Sequence, residues 1–279
     1  MEEEVQQLID DIMSRPLREL THIERQIRSI ILSVVKSPTK LEHWNVHYKR
    51  INTLYNVMYK TGMKATNKAM EKALNVSNNQ VKNVLRDSVK ELKEAGEKGR
   101  AAKLEKTAAK VAPKASSIAP IKKAVQQNYY DAILSSKASV KQVLRRTSQT
   151  VVKDTALYKG LDGLTTQEIA KVFSDRLKSG AIDGKALNIN GKIWGVRDYS
   201  NMLARTAVAD AHSAGVVDSG VELVEVSSHG TTTEICKKYE GNIYSVNGDS
   251  SKYPKLEASP AFHPNCLHLL IPHVEIDAA

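Results

Sequence analysis

The chain has 279 residues, a formal net charge of +10, 41% hydrophobic and only 5% aromatic residues, and two cysteines. That length holds one large or two ordinary domains, the scarcity of aromatics favours helices packed through Leu, Val, Ile and Ala over an aromatic-rich β-sandwich, and two cysteines exclude a disulfide framework. No run approaches the roughly 18 consecutive apolar residues of a membrane span, and the acidic start Met1-Glu2-Glu3-Glu4 lacks the basic region of a signal peptide, so a soluble protein made in a reducing compartment is expected.

The charge is uneven. From residue 200 onward there are five Lys or Arg and ten Asp or Glu, which leaves 36 basic and 21 acidic residues before it. A basic N-terminal portion joined to a mildly acidic C-terminal one suits a polyanionic partner.

Residues 1–36 read as helix, with Val5, Leu8, Ile9, Ile12 and Met13 at three- and four-residue spacing. Pro16 is expected to interrupt or restart it. Leu17, Leu20, Ile23, Ile27, Ile30, Ile31, Val34 and Val35 continue a broad apolar stripe that must bury against something, and Ser37-Pro38-Thr39 ends it. A second helix is expected over 40–75. Its face of Trp44, Tyr48, Ile51, Leu54, Tyr55, Met58 and Tyr59 reads as core in preference to a base-stacking platform. Ser77-Asn78-Asn79 looks like a break with a cap for the next helix.

From 80 the helical pattern continues but turns strongly polar. Between Lys90 and Lys123 there are ten Lys or Arg against four Glu. The Ala, Lys and Ser composition here is that of a linker or an exposed arm. Lys98, Arg100, Lys103, Lys106, Lys110, Lys114, Lys122 and Lys123 are its candidate contacts to double-stranded DNA, because non-specific phosphate binding needs charge but no pocket. A solvated spacer would have the same composition.

Beyond Pro120 one helix is expected around Val125, Tyr129, Ile133 and Leu134, and another around Val140, Val143, Leu144, Val151 and Val152. Thr165 with Glu168 three residues on is a capping box for a helix over about 166–179 that ends at Gly180. Asn188 to Trp194 looks like a short hairpin around Asn190-Gly191. Asp198 is expected to cap a helix that runs to about Ser219 and stops at Gly220. The period then changes to two. Strands are expected at Val221–Val226, Asn242–Val246 and Leu267–Pro272, forming a small antiparallel sheet.

The fold class that follows is mainly α with a small α+β C-terminal domain. It divides into a helical region 1–89, a basic arm or linker 90–123, a helical middle 124–199 and a C-terminal domain 200–279 that holds one helix and the sheet.

The chemistry concentrates in the last of these. Cys236, His263, Cys266 and His268 place two thiols and two imidazoles around the ends of the strands. Such groups are the usual ligands of a tetrahedral structural zinc, so these four are the candidate zinc set. A polar turn at Pro264-Asn265, with a buried free Cys and two hydrogen-bonded histidines, accounts for the same residues. No phosphate-cradling Gly loop, Ser/His/Asp order or dinucleotide fingerprint is present.

From Tyr199 to Pro272 the order of features resembles the Mu F-like family of phage minor head proteins, that of the SPP1-type siphophages. The resemblance is carried by Met202-Leu203-Ala204-Arg205-Thr206, Ala214-Gly215, Gly220-Val221-Glu222-Leu223-Val224 and Cys236 followed by Glu240-Gly241. Pro260, His263-Pro264-Asn265-Cys266-x-His268 and Pro272 complete it. The family's signature usually has a cysteine where this chain has Thr233 and another at His268, with Arg in place of Leu267. The resemblance implies a non-enzymatic structural protein of the virion, made in the bacterial host cytoplasm and held inside the capsid near the portal. It implies the portal protein, the capsid or scaffolding protein and double-stranded DNA as partners, no membrane, and a role in head assembly and genome packaging or ejection. Two other readings stand beside it: a metal-dependent nuclease, in which His263, Asn265 and His268 superficially resemble a His/Asn/His site with His229 or Glu240 as base or ligand, and a nucleic-acid-binding adaptor outside the virion, which no helix-turn-helix or zinc-finger spacing favours.

Overall fold

The stripe that begins at Val5 forms a single helix. The computed structural model describes residues 2–35, 37–161, 187–189, 192–257, 263, 266 and 268–276. In it α1 spans Glu2–Val35 with Pro16 inside. The interruption expected at Pro16 does not occur. A mid-helix proline costs about 3 kcal/mol, but Val5, Ile9, Met13, Leu20, Ile23, Ile27, Ile31 and Val34 are all buried along the helix. At roughly 1.5–3 kcal/mol for each such side chain, that stripe outweighs the proline.

After the short α2 (Pro38–Glu42), capped by Ser37, α3 runs over Trp44–Glu94, 51 residues. The break expected at Ser77-Asn78-Asn79 is absent. Ser77 Oγ and Asn78 Nδ2 both donate to the Leu74 carbonyl, at 2.9 and 2.6 Å. The Ser77 hydroxyl and the Asn78 amide nitrogen are thereby satisfied within the helix, whereas Asn78 Oδ1 is buried with no hydrogen-bond partner among the described residues. Helix α4 is Lys98–Lys110 and α5 is Ala115–Leu161. The apolar pattern predicts two helices where α5 is continuous. Its polar stretch holds because Ser136 Oγ donates to the Ala132 carbonyl at 2.6 Å while Ala132, Ile133 and Leu144 are buried on either side.

Strands β1 (Leu187–Ile189) and β2 (Lys192–Trp194) pair antiparallel with Ile189 opposite Lys192, as the hairpin pattern requires. The Asn190-Gly191 turn and the helix expected at 166–179, with its capping box Thr165 and Glu168, lie outside the described residues. Helix α6 is Val196–Asp218. It starts three residues earlier than a cap at Asp198 requires, so Asp198 lies in its first turn and is not the cap. An acidic group there complements the helix dipole. Gly220, at φ +84, ends the helix. That left-handed conformation is one that glycine adopts most easily. Then come β3 (Leu223–Val226), the one-turn α7 (Glu234–Lys237), β4 (Ile243–Ser245) and β5 (Leu270–His273). They form the expected three-stranded antiparallel sheet, with β3 in the centre and Val224 opposite both Tyr244 and Pro272.

The chain divides into two compact units, each drawn from separated stretches: Met1–Ser14 with Ala65–Val125 and Asn201–Ala279, and Arg15–Lys64 with Gln126–Ser200. The core of the first joins Val81 and Leu85 of α3, Val111, Val216 of α6, Val221, and the sheet residues Val224, Val226, Tyr244 and Leu270. Residues 90–123, whose composition is that of an arm, fold onto this unit as α4 and its flanks, with Ala101, Val111 and Ile118 buried.

The second unit buries Ile51, Tyr55 and Met58, so the tyrosine-bearing face of α3 is core there. Gly62 lets the Tyr129 ring close in, because a Cβ at that position would lie 2.8 Å from ring atoms. The buried Glu24 accepts the Val196 backbone N–H at 3.1 Å. It thus satisfies a donor at the start of α6 that has no partner within the helix.

Candidate functional site

The four predicted ligands come from one helical turn and one loop, both in the first unit. Cys236 sits in α7, buried. Cys266 and His268 are buried in the approach to β5, and His263 is half-buried beside them. The ligand atoms of Cys236, His263 and Cys266 all lie within 4.8 Å of one another. Both cysteines are free thiols. Their sulfurs are 3.7 Å apart. That is far beyond disulfide length. Two thiolates at about 2.3 Å from one tetrahedral zinc stand about 3.8 Å apart by geometry. His268 joins through Cys266, with Nδ1 at 3.2 Å from that sulfur. The donors of Cys236, His263 and Cys266 therefore converge with a chemistry and spacing that fit a zinc ion, and His268, outside that group of three, stands next to it through Cys266. Thr233, where the resembling family has a further cysteine, is exposed.

The electrostatics favour a protonated Cys236 thiol when no ion is bound. Burial, the neighbouring Cys266 and then Glu240 push the Cys236 thiol up to about 11. Burial also lowers His268, with Glu240 opposing the shift. The ring is therefore kept neutral.

A residue that ligand spacing does not single out organises the surroundings. Glu240 follows Cys236 by one helical turn, its N–H bonding the Cys236 carbonyl at 3.1 Å. Its carboxylate accepts from His268 Nε2 at 3.2 Å, from the His229 backbone N–H, and from the Thr231 N–H at 3.2 and 3.1 Å. Burial alone would raise its pKa, but these donors from His229, Thr231 and His268 win and hold it below the usual carboxylate value. Hydrogen bonds to the charged form favour that form. The signal available in the sequence is the four-residue offset from Cys236, which puts both side chains on one side of a turn.

His229 stacks edge-on against His268 at 4.8 Å between ring centroids. Ser227 Oγ accepts the Leu269 N–H at 2.9 Å and lies 2.9 Å from His229 Nε2. A hydroxyl can accept and donate at once, so its own hydrogen is available to that nitrogen. A cavity of about 670 Å³, lined by His229, Cys266, Arg205 and Asp10 among others, opens beside the cluster.

The eight basic residues nominated for DNA divide into two groups. Arg100 pairs with Glu97 at 2.8 Å, Lys103 with Glu222 at 2.7 Å and Lys122 with Glu71 at 2.7 Å, while Lys114 donates to the Asp218 carbonyl at 3.1 Å. Lys98, Lys106, Lys110 and Lys123 are exposed, and their side chains have no ion pair or hydrogen bond among the described residues. At about 100° per residue, Lys98, Lys106 and Lys110 share an arc of roughly 120° on α4.

The model of the phage minor capsid protein 2 family matches residues 19–276, nearly the whole chain and all of the cluster. The chain belongs to that family. It is therefore a phage minor capsid protein and a component of the virion, and its kinship lies with structural proteins. No curated protein and no solved structure matches it. Among the described residues of this minor capsid protein, no helix is long and apolar enough to cross a membrane.

Proposed function

We propose that this minor capsid protein sits inside the head beside the portal and touches the packaged double-stranded DNA, aiding head assembly and genome packaging or ejection. The portal protein and the capsid or scaffolding protein are its protein partners in this reading, which also keeps the likeness to the Mu F-like head proteins. The observation that carries it is the cationic arc of α4. Lys98, Lys106 and Lys110, with Lys123 on α5, present charge that no acidic group among the described residues neutralises. Unpaired exposed lysines are what counterion release needs, and the lysines already paired within the chain contribute less.

The test is duplex DNA binding by the full chain over a range of salt. Replacing Lys98, Lys106, Lys110 and Lys123 by Gln should weaken binding and flatten the slope of log K against log salt by about three to four. Replacing Lys103, Lys114 and Lys122 instead should change it less. Equal effects of the two sets, or none from the first, would sink the DNA assignment. Cross-linking within isolated heads should recover the portal protein; recovery of major shell protein alone would move the chain away from the portal.

The Cys236, His263, Cys266 and His268 cluster is, in the same proposal, a structural zinc clip that ties α7 to the approach of β5. Bound there, the ion would supply cross-linking energy to a small sheet. Four protein ligands would leave no open position for water, which favours a structural role over the nuclease reading.

A further inference from the structure

We infer that Glu240 is the positioning residue of this centre, fixing the His268 ring so that Nδ1, and not Nε2, faces the Cys266 thiol. The inference rests on the zinc reading above. Glu240 Oε1 and His268 Nε2 are 3.2 Å apart. The same Glu240 oxygen accepts the backbone N–H groups of His229 and Thr231, so it acts as an acceptor here and the hydrogen between it and the ring belongs to the imidazole. A neutral imidazole with its proton on Nε2 has its lone pair on Nδ1. That is the atom 3.2 Å from Cys266 Sγ. Metal-binding histidines are held in this way by an outer carboxylate that sets both tautomer and ring orientation.

Glu240 is itself placed for this role and is not disposed as a ligand. Its oxygens are already taken by the His268 ring and by the backbone N–H groups of His229 and Thr231. The chain turns sharply just after it. Gly241 has φ +71. Glycine adopts that left-handed conformation without the strain a side chain would bring. Its N–H donates to the Val226 carbonyl at 2.8 Å, locking α7 to the end of β3. The Ser227 N–H reaches the Leu269 carbonyl at 3.0 Å, locking the same strand end to the His268 segment. One carboxylate thus joins three segments: 227–231, 236–241 and 266–269. The cavity beside Cys266 and His229 gives an ion the entry path that a metal site requires.

The experiment uses the full chain and two metal probes, Zn²⁺ by competition with a chromophoric chelator and Co²⁺ by its absorption spectrum. Glu240→Gln keeps an oxygen but weakens the acceptor, and it should lower zinc affinity about 10- to 100-fold and shift the Co²⁺ bands. In a His268→Ala background the same change should cost less than about twofold, because there is no ring left to orient. Glu240→Asp keeps the charge but shortens the reach; it should also lose affinity, and it serves if Glu240→Gln does not fold. An equal loss from Glu240→Gln in both backgrounds, or no loss in the native one, overturns the positioning role. A wild-type chain that takes up neither ion overturns the zinc reading itself, and the inference with it.

Discussion

Gly215 on α6 leaves the space that the Ser77 hydroxyl on α3 fills: a Cβ on Gly215 would stand 2.0 Å from Ser77 Oγ and 2.9 Å from Leu74 Cδ1. The two helices approach closely because one residue has no side chain and the other only a hydroxymethyl group. Ser77 Oγ is also tied to the Leu74 carbonyl, so it is not free to swing away. Gly215→Ala would gain about 1 kcal/mol of helix propensity but lose more to overpacking, a net cost of about 1–2 kcal/mol. Urea unfolding would measure it. Adding Ser77→Ala removes the nearer atom and should recover part of the loss; strictly additive costs would show that the pair does not clash.

A second prediction concerns pH. His212 is fully buried, with Nε2 at 2.8 Å from Gln80 Oε1 and no hydrogen-bond partner for Nδ1 among the described residues. Burial pulls its pKa down to about 4. The unfolded chain, with an ordinary histidine near about 6.5, binds the proton more readily. Stability is therefore greatest above about pH 6.5 and falls as pH drops towards 4, by about 2 kcal/mol at pH 5. Unfolding at pH 7 and pH 5 should show a smaller loss for His212→Asn than for the native chain. An identical loss would place the acid sensitivity elsewhere.

Glu24 offers a third. Its carboxylate takes the Val196 N–H at the start of α6. Glu24→Ala should cost about 1–3 kcal/mol, since a buried donor is left without its acceptor. Glu24→Gln retains an oxygen and should cost less. The order of the two melting temperatures decides the point, and Gln as costly as Ala would mean that the charge matters and the acceptor does not.

For the cluster, removing zinc with a chelator should lower stability by about 3 kcal/mol when the ion was at about a hundred times its dissociation constant. Cys266→Ser should be less stable than the native chain and indifferent to the chelator. A native chain that melts at the same temperature with and without chelator would leave Cys236 and Cys266 as packed thiols in a hydrogen-bonded turn.

Element type is legible in the sequence wherever the apolar period is long. The stripe from Val5 to Val34 and the alternation around Val224 each specify one kind of structure, because a helix or strand must bury the face that its side chains share. Breaks are misread where a local signal competes with packing. Pro16, Ser77-Asn78 and the polar stretch near Ser136 all favour an interruption when taken alone. Each is overridden by buried neighbours, or by a hydroxyl or amide that bonds its own helix. Composition likewise marks residues 90–123 as an arm, because small alanines look like linker; Ala101 is instead buried at a close contact.

The donor chemistry of the site, two thiols and two imidazoles near strand ends, follows from the order of residues alone, as does a basic chain with an acidic final domain. Which of those groups meet was settled by the folded core. It brings Cys236 to 3.7 Å from Cys266 across 30 residues and sets Glu240 behind His268. It also separates lysines paired with Glu71 and Glu222 from those whose side chains have no ion pair among the described residues. The reason is physical: local propensity and period depend on neighbours a few residues away, whereas donor geometry and charge neutralisation depend on groups brought together by burying the core.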